Sequence, residues 1–268
     1  MFYIINEDMI DYVISYLKKN ILKCVYLYIN LIKYGVNNIN INGYVYLDEV
    51  DDIKCVIVKY YNGIQIYSEN NDFDKDELVK LLNVLKPNVI SGELDTIKNI
   101  YYDFIDKYNL EIGYVSKLDR NAILTENTNK YRIEKNNKNL LYQISDLICS
   151  DYKLGGHYTK EGLYKQLKDR IDDNFGRNYV ILDKNGIVSH AATYAEIDNI
   201  SVIGGVITRS DKRGKGIGSF IVNELCNDLI LEGKEVYLFY ENSVAGQIYK
   251  KIGFIENIEW MKLKFKVG

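Results

Sequence analysis

Proline occurs once in this chain, tryptophan once and histidine twice, among 268 residues. A single proline leaves no proline-rich spacer or polyproline ligand to account for. The two histidines, at 157 and 190, and the four cysteines, at 24, 55, 149 and 226, form none of the paired spacings that hold zinc, so no metal is expected. Each cysteine lies in an apolar setting and reads as a small buried hydrophobe in a reducing compartment. No apolar run approaches the ~18 residues of a membrane span. The opening M-F-Y-I-I-N-E-D has no basic segment and meets an acid at Glu7, so neither a secretory signal nor a membrane partner is expected, and the chain reads as cytoplasmic. Charge of one sign is also missing. A net charge of −3 provides no basic field for nucleic acid.

What is present is an ordinary globular composition, 47% hydrophobic and 26% charged, with length for one or two domains. Abundant Asn, Ile, Lys and Tyr with little proline fit the bias of an AT-rich genome, so the tyrosines carry no functional message by number alone. Residues 1–125 hold 13 basic and 18 acidic side chains, and residues 126–268 hold 21 and 19, which leaves the second half slightly basic.

Periodicity gives an element order. Met9, Tyr12, Val13, Tyr16 and Leu17 form one helical stripe, with Asp8 as the expected N-cap. A second helix over 23–34 stops at Gly35. Strands follow over 43–50, 53–60 and 64–68, the last two joined by the hairpin signal Asn62-Gly63. A helix over 74–85 is stopped by Pro87. A short strand at 89–91, a helix over 96–108 and a strand near 113–118 complete the first half. The polar stretch 119–130 is the expected linker, which gives domains at 1–122 and 130–268. The second half repeats much of the order: a strand at 131–134, helices over 139–149 and from Thr159 to before Gly176, then strands 179–183 and 187–195 joined at Asn185-Gly186. A strand over 199–208, a helix over 216–232, a strand over 236–240, a helix over 243–252 and a final strand near 259–265 follow. Sequence identity between the halves is not evident, so the repetition is one of topology.

The stretch G-G-V-I-T-R-S-D-K-R-G-K-G-I-G-S, residues 204–219, stands apart. Gly214, Gly216 and Gly218 are poor helix formers, costing roughly 1 kcal/mol each against alanine in a helix. They suit a backbone that approaches a ligand or takes positive φ, and a glycine loop opening a helix is an anion site. No Gly-Lys pair is followed by Ser or Thr, which fails the Walker A pattern, and Ser219 stands where a dinucleotide fingerprint needs glycine. What remains, Arg213-x-x-Gly216-x-Gly218, resembles the cofactor loop of the GNAT superfamily of acyl-CoA N-acyltransferases. Residues 236–254, V-Y-L-F-Y-E-N-S-V-A-G-Q-I-Y-K-K-I-G-F, resemble its second signature through Asn242, Ala245, Tyr249, Gly253 and Phe254. Ser210 and Lys212 depart from the residues usual in the loop.

The resemblance implies an α+β fold with two GNAT-like domains, each a mixed, mostly antiparallel sheet flanked by helices. It implies acetyl-CoA as co-substrate, held by the backbone of Val206, Ile207 and Thr208 along pantetheine. The loop Arg213, Gly214, Lys215, Gly216, Ile217, Gly218 and Ser219 would hold pyrophosphate, with Asn242 and Ala245 nearby. Tyr249 would be the proton donor to the leaving thiolate. Glu196 is the expected base, with Asp198 and Glu241 behind it; His157 is placed to touch the acceptor and His190 to be structural. In the first half the corresponding loop, S-E-N-N-D-F-D-K-D, is acidic and glycine-free, so only the second domain is expected to bind cofactor. The acceptor is an amine of a small molecule or peptide (amino acid, polyamine, aminoglycoside and peptide amine all fit), and the protein a monomer or homodimer.

Overall fold

The computed structural model of the chain describes residues 1–122, 131–156 and 158–266. Most of the expected linker and His157 therefore lie outside the described residues. The chain divides into two compact units. The first takes Met1–Ser116, Tyr240–Asn242 and the C-terminal stretch from Glu256; the second takes Lys117–Phe239 and Ser243–Ile255.

The first unit begins with β1 (Phe2–Ile4), α1 (Ile10–Lys18) and α2 (Ile21–Tyr34). The first helix is not capped by Asp8: the Asn6 side chain instead accepts from the Met9 N–H and closes a 3-10 turn ahead of α1. Gly35 ends α2 at φ +60, the left-handed region where a missing Cβ matters. The meander β2 (Ile41–Leu47), β3 (Ile53–Tyr60) and β4 (Gly63–Tyr67) follows, antiparallel throughout. Its Asn62-Gly63 turn brings Tyr60 opposite Gly63. Then come α3 (Lys75–Leu85), β5 (Val89–Glu93) parallel to β4, α4 (Leu94–Tyr101) and β6 (Tyr108–Leu118). The helix expected as far as residue 108 stops at Tyr101. Turn bonds from Asp103, Phe104 and Lys107 N–H groups to carbonyls three residues back unwind it. The Tyr108 hydroxyl then anchors on the Pro87 carbonyl at 2.5 Å, which starts β6 early.

The second unit runs β7 (Ile133–Lys135), α5 (Leu141–Cys149), the single turn α6 (Tyr152–Gly155), α7 (Lys160–Asp172), β8 (Asn178–Asp183), β9 (Gly186–Glu196) and β10 (Ile200–Thr208). It continues with α8 (Ile217–Leu231), β11 (Glu235–Tyr240) and α9 (Ser243–Ile252). Strand order is β11-β10-β9-β8-β7, with β10 and β11 parallel and the rest antiparallel. The unit packs Leu141, Ile144, Ile148, Leu163 and Leu167 of its helices on Val180, Ile187 and Ile207 of its sheet. Each unit thus repeats one scheme: an antiparallel meander, a helix, and a strand returning parallel to the meander's last. That is a mixed, largely antiparallel α+β architecture.

The last strand, β12 (Phe254–Phe265), departs from a simple division of the chain in two. From Glu256 onward it belongs to the first unit, where the order is β1-β2-β3-β4-β5-β12-β6. It pairs antiparallel with β5, Trp260 opposite Glu93 and Lys264 opposite Val89. Met261 and Leu263 enter the first unit's core beside Ile57, Ile66, Ile90 and Ile100.

Candidate active site

The parallel ladder between β10 and β11 is short. It runs from Ile200 opposite Glu235 to Ile203 opposite Leu238 and then stops, although both strands continue. On its other side β10 keeps its pairing with β9 to Thr208 opposite Ser189, with a register shift between Gly204 and Ile207. Gly205 takes φ +62 in that shift. Val206, Ile207 and Thr208 therefore present one backbone edge that β11 does not occupy.

His190 holds the bulge from beneath. It is fully buried; its Nδ1 meets the Gly205 carbonyl at 2.6 Å and its Nε2 faces the Asn178 side-chain amide at 2.8 Å. Burial pulls its pKa down to about 4, so the ring is neutral and Nδ1 is the donor to Gly205. The histidine's place is structural, as its alternation with apolar residues suggests.

Beyond Thr208 the loop is pinned at its root. Arg209 spans Asp183 and Asp211, and the Asp183 carboxyl is held well below the usual range by the Arg209 guanidinium. Arg213 turns back, its Nε donating to the Thr208 carbonyl at 2.9 Å and its Nη2 to Asp151 at 3.0 Å. Its charge thus braces the loop. Lys215 is exposed and has no ion-pair partner among the described residues.

Gly214 and Gly216 sit at φ +77 and +75, and a Cβ on either would meet open space. They are needed for backbone conformation, and the space beside them is free. Gly216 is the N-cap of α8 and has no side chain to satisfy the helix's first N–H groups. Among the described residues, no backbone carbonyl accepts from the N–H groups of residues 214–219; the next donor along, Phe220, reaches the Gly216 carbonyl at 2.9 Å. Unbonded donors converge at the positive end of a 15-residue helix, which is an anion cradle.

The first unit offers the contrast. Helix α3 begins at Asp74, whose carboxylate accepts from the Glu77 N–H at 3.0 Å. Ser68 and the Tyr16 hydroxyl take further backbone donors of the preceding loop, from Asn71 and Glu69. A built-in carboxylate thus caps that helix's N-terminus, where α8 has no side-chain cap.

Tyr249 lies on α9, 8% exposed, with its ring edge-on to Phe254. Burial pushes its phenol pKa well up, with Cys226 adding to the effect, so it remains protonated throughout the neutral range. Ala245 lies one turn earlier on the same helix. Asn242 falls in the short segment Tyr240–Asn242 that groups with the first unit, as does Glu241, whose carboxylate pairs with Lys262 at 3.0 Å.

Glu196 accepts three hydrogen bonds and stands in an ion pair with Lys234. Its Oε2 accepts from Arg177 Nε at 3.0 Å and Thr193 Oγ1 at 2.8 Å; its Oε1 takes Arg177 Nη2 and Lys234 Nζ. A carboxylate has about four acceptor sites. These bonds tie the end of β9 to Arg177 and occupy most of the carboxylate's acceptor sites. Asp198 contributes only its backbone carbonyl to this network, accepting from Lys234 at 3.2 Å.

Sequence reasoning passed over Arg170. It stands seven residues after Leu163 and three after Leu167 on α7, on that helix's apolar stripe, and is 9% exposed. A charge at a stripe position was the signal available.

Among the described residues no group of three His, Cys, Asp or Glu side chains is arranged to hold a metal ion, and no helix is long and apolar enough to cross a membrane. A notched parallel strand pair thus leads through a glycine loop into an uncapped helix within a mixed, largely antiparallel α+β unit. The comparisons agree. The family model for GNAT acetyltransferases matches residues 39–263. The chain belongs to the GNAT acetyltransferase family. A Drosophila protein superposes with TM-score 0.69 at 10% identity, covering 99% of this chain and 98% of that one. A GNAT-family acetyltransferase from Colwellia psychrerythraea gives 0.61 at 12% identity over 99% and 100%. A tandem GNAT protein from the clavulanic acid biosynthesis pathway gives 0.61 at 8% identity over 100% and 99%. These likenesses are of fold. Curated proteins yield no match.

Proposed function

We propose that the second unit transfers an acetyl group from acetyl-CoA to the amine of a small molecule or peptide, by direct attack in a ternary complex. The observation that carries this reading is the row of unbonded N–H groups at residues 214–219, next to the unpaired edge of β10. Pyrophosphate suits the first and a pantetheine arm suits the second. A backbone N–H of that edge would polarise the thioester carbonyl as charge develops on it. Holding donor and amine together supplies proximity. Tyr249, kept protonated by burial, would deliver a proton to the departing thiolate, whose thiol has a pKa of roughly 8.5 by analogy with cysteine. Glu196, which already accepts from Arg177 and Thr193, has little acceptor capacity left for the amine's own proton. The first unit is a degenerate copy that binds no acetyl-CoA, its helix N-terminus being occupied by Asp74.

Melting-temperature shifts with acetyl-CoA, followed by CoA release over a panel of amines, test the reading. A rise in melting temperature and CoA release with at least one amine are expected. No shift at saturating acetyl-CoA would exclude the cofactor. A shift with no turnover of any amine would instead make the protein a non-catalytic acyl-CoA sensor.

A further inference from the structure

The other arginines around the glycine loop and β9 are paired: Arg177 with Glu196 and Glu232, Arg209 with Asp183 and Asp211, Arg213 with Asp151. Arg170 is not. Among the described residues its Nε and Nη1 have no hydrogen-bond partner, and its Nη2 reaches only the Gln166 side-chain oxygen, at 3.4 Å. The guanidinium instead lies over the Tyr194 ring, 4.4 Å from its centroid. A ring face offsets part of the cost of burying a cation, yet a guanidinium without an anion at this depth is a standing destabilisation.

Tyr194 tells where an anion would sit. A Cβ added at Gly204 or Gly205 would collide with the Tyr194 ring and hydroxyl respectively, so the ring lies flat along the glycine bulge of β10. Guanidinium, ring and bulge form a stack. The guanidinium and the bulge at Gly204–Gly205, which immediately precedes Val206, thus both lie against the Tyr194 ring. Tyr194 as a residue is partly buried and Arg170 is 9% exposed. The planar fork of Arg170 fits a carboxylate through two parallel N–H bonds.

We propose that Arg170 receives a carboxylate carried by the acceptor, so that the acceptors are amines that also bear a carboxylate, as amino acids and short peptides do. This rests on the acyl-transfer reading above and narrows its substrate class. The chemistry balances without further reactants: the amine nitrogen bonds to the acetyl carbon, the C–S bond breaks, the sulfur leaves as thiol and the carboxylate is unchanged.

Acetyl-CoA binding to the wild-type protein is measured first by melting shift; its absence would sink the acyl-transfer reading and not this inference alone. With CoA present, calorimetric titrations then compare N-acetylated amino acids and N-acetylated dipeptides with the same compounds carrying a terminal amide, and with phosphonate counterparts. Products are used so that no turnover is needed. At least one carboxylate should bind ~10-fold or more tightly than its amide, as expected for a charge-assisted hydrogen bond. Free amino-acid and peptide products distinguish the two sources of the carboxylate. In Arg170→Met the preference should vanish while the acetyl-CoA shift persists, and the melting temperature should equal or exceed that of the wild type. Arg170→Lys, which keeps the charge without the fork, should retain part of the preference, and it decides the matter if the Met variant does not fold. Equal affinity for acids and amides, no binding of any carboxylate, preference for phosphonates alone, or a preference that survives in Arg170→Met each overturns the proposal.

Discussion

Three residues show how differently the same kind of signal can resolve. Tyr249 is singled out in the sequence by its interval to Gly253-Phe254 and proves to be buried, with its phenol pKa raised by that burial. Tyr249→Phe should lower kcat by about 10²-fold with acetyl-CoA affinity nearly unchanged, as removal of a general acid does; steady-state kinetics beside cofactor titration check this. Glu196 was legible only as an acid at a strand end. Sequence spacing says nothing of the three donors from Arg177 and Thr193 or of the Lys234 ammonium that gather on it. Glu196→Gln should therefore act on stability, because it leaves Arg177 and Lys234 short of a counter-charge: a loss on the order of 2 kcal/mol, read by denaturant unfolding, with residual turnover at low temperature. His190 has a folded-state pKa of about 4, below its unfolded value near 6.5. The unfolded chain then binds the proton more readily as pH falls. Stability is whole above pH 6.5 and declines between 6.5 and 4, by about 3 kcal/mol from this group. Unfolding curves across that range, compared with His190→Gln, should show the slope flatten in the variant.

At the scale of elements, the glycine loop and α8 were readable because each requirement is local: positive φ at Gly214 and Gly216, a helix with no capping side chain, and a following apolar stripe. Gly216→Ala places a Cβ on a left-handed residue at a strain of roughly 1–2 kcal/mol. The side chain itself would meet nothing, so the fold should survive with a small drop in melting temperature and a weakened acetyl-CoA shift; an unchanged affinity would mean that the cradle tolerates a reshaped backbone. The hairpins at Asn62-Gly63 and Asn185-Gly186 were equally local. Less legible were elements decided by distant partners. The early end of α4 depends on turn bonds and on the Tyr108 hydroxyl reaching Pro87, and β1 is too short to show a period. Arg170 was hidden because one charge among Leu163, Leu167 and Ile171 reads as noise until its neighbours in space are known.

At the scale of the whole molecule, one acetyl-CoA per chain is expected by calorimetry, because the glycine loop leads into α8 with no side-chain cap, whereas at the corresponding place in the first unit Asp74 caps α3. The element order of the two halves was visible in the sequence, but the destination of the last strand was not: alternation marks a strand without naming its neighbour. Residues 256–265 complete the sheet of the first unit between β5 and β6. A fragment of residues 1–122 should accordingly lack cooperative unfolding by circular dichroism, and a peptide spanning 254–266 added in trans should restore it. The consequence reaches to biosynthesis. Domains ordinarily fold in turn as they leave the ribosome, at ~5–20 residues per second. Here the first half emerges with a vacant slot in its sheet, and its lower-numbered strands wait, with Ile57, Ile66 and Ile90 short of their packing partners Met261 and Leu263, until nearly the whole chain has been made. Translation order and folding order are thereby uncoupled, so the first half of the polypeptide is the last to close.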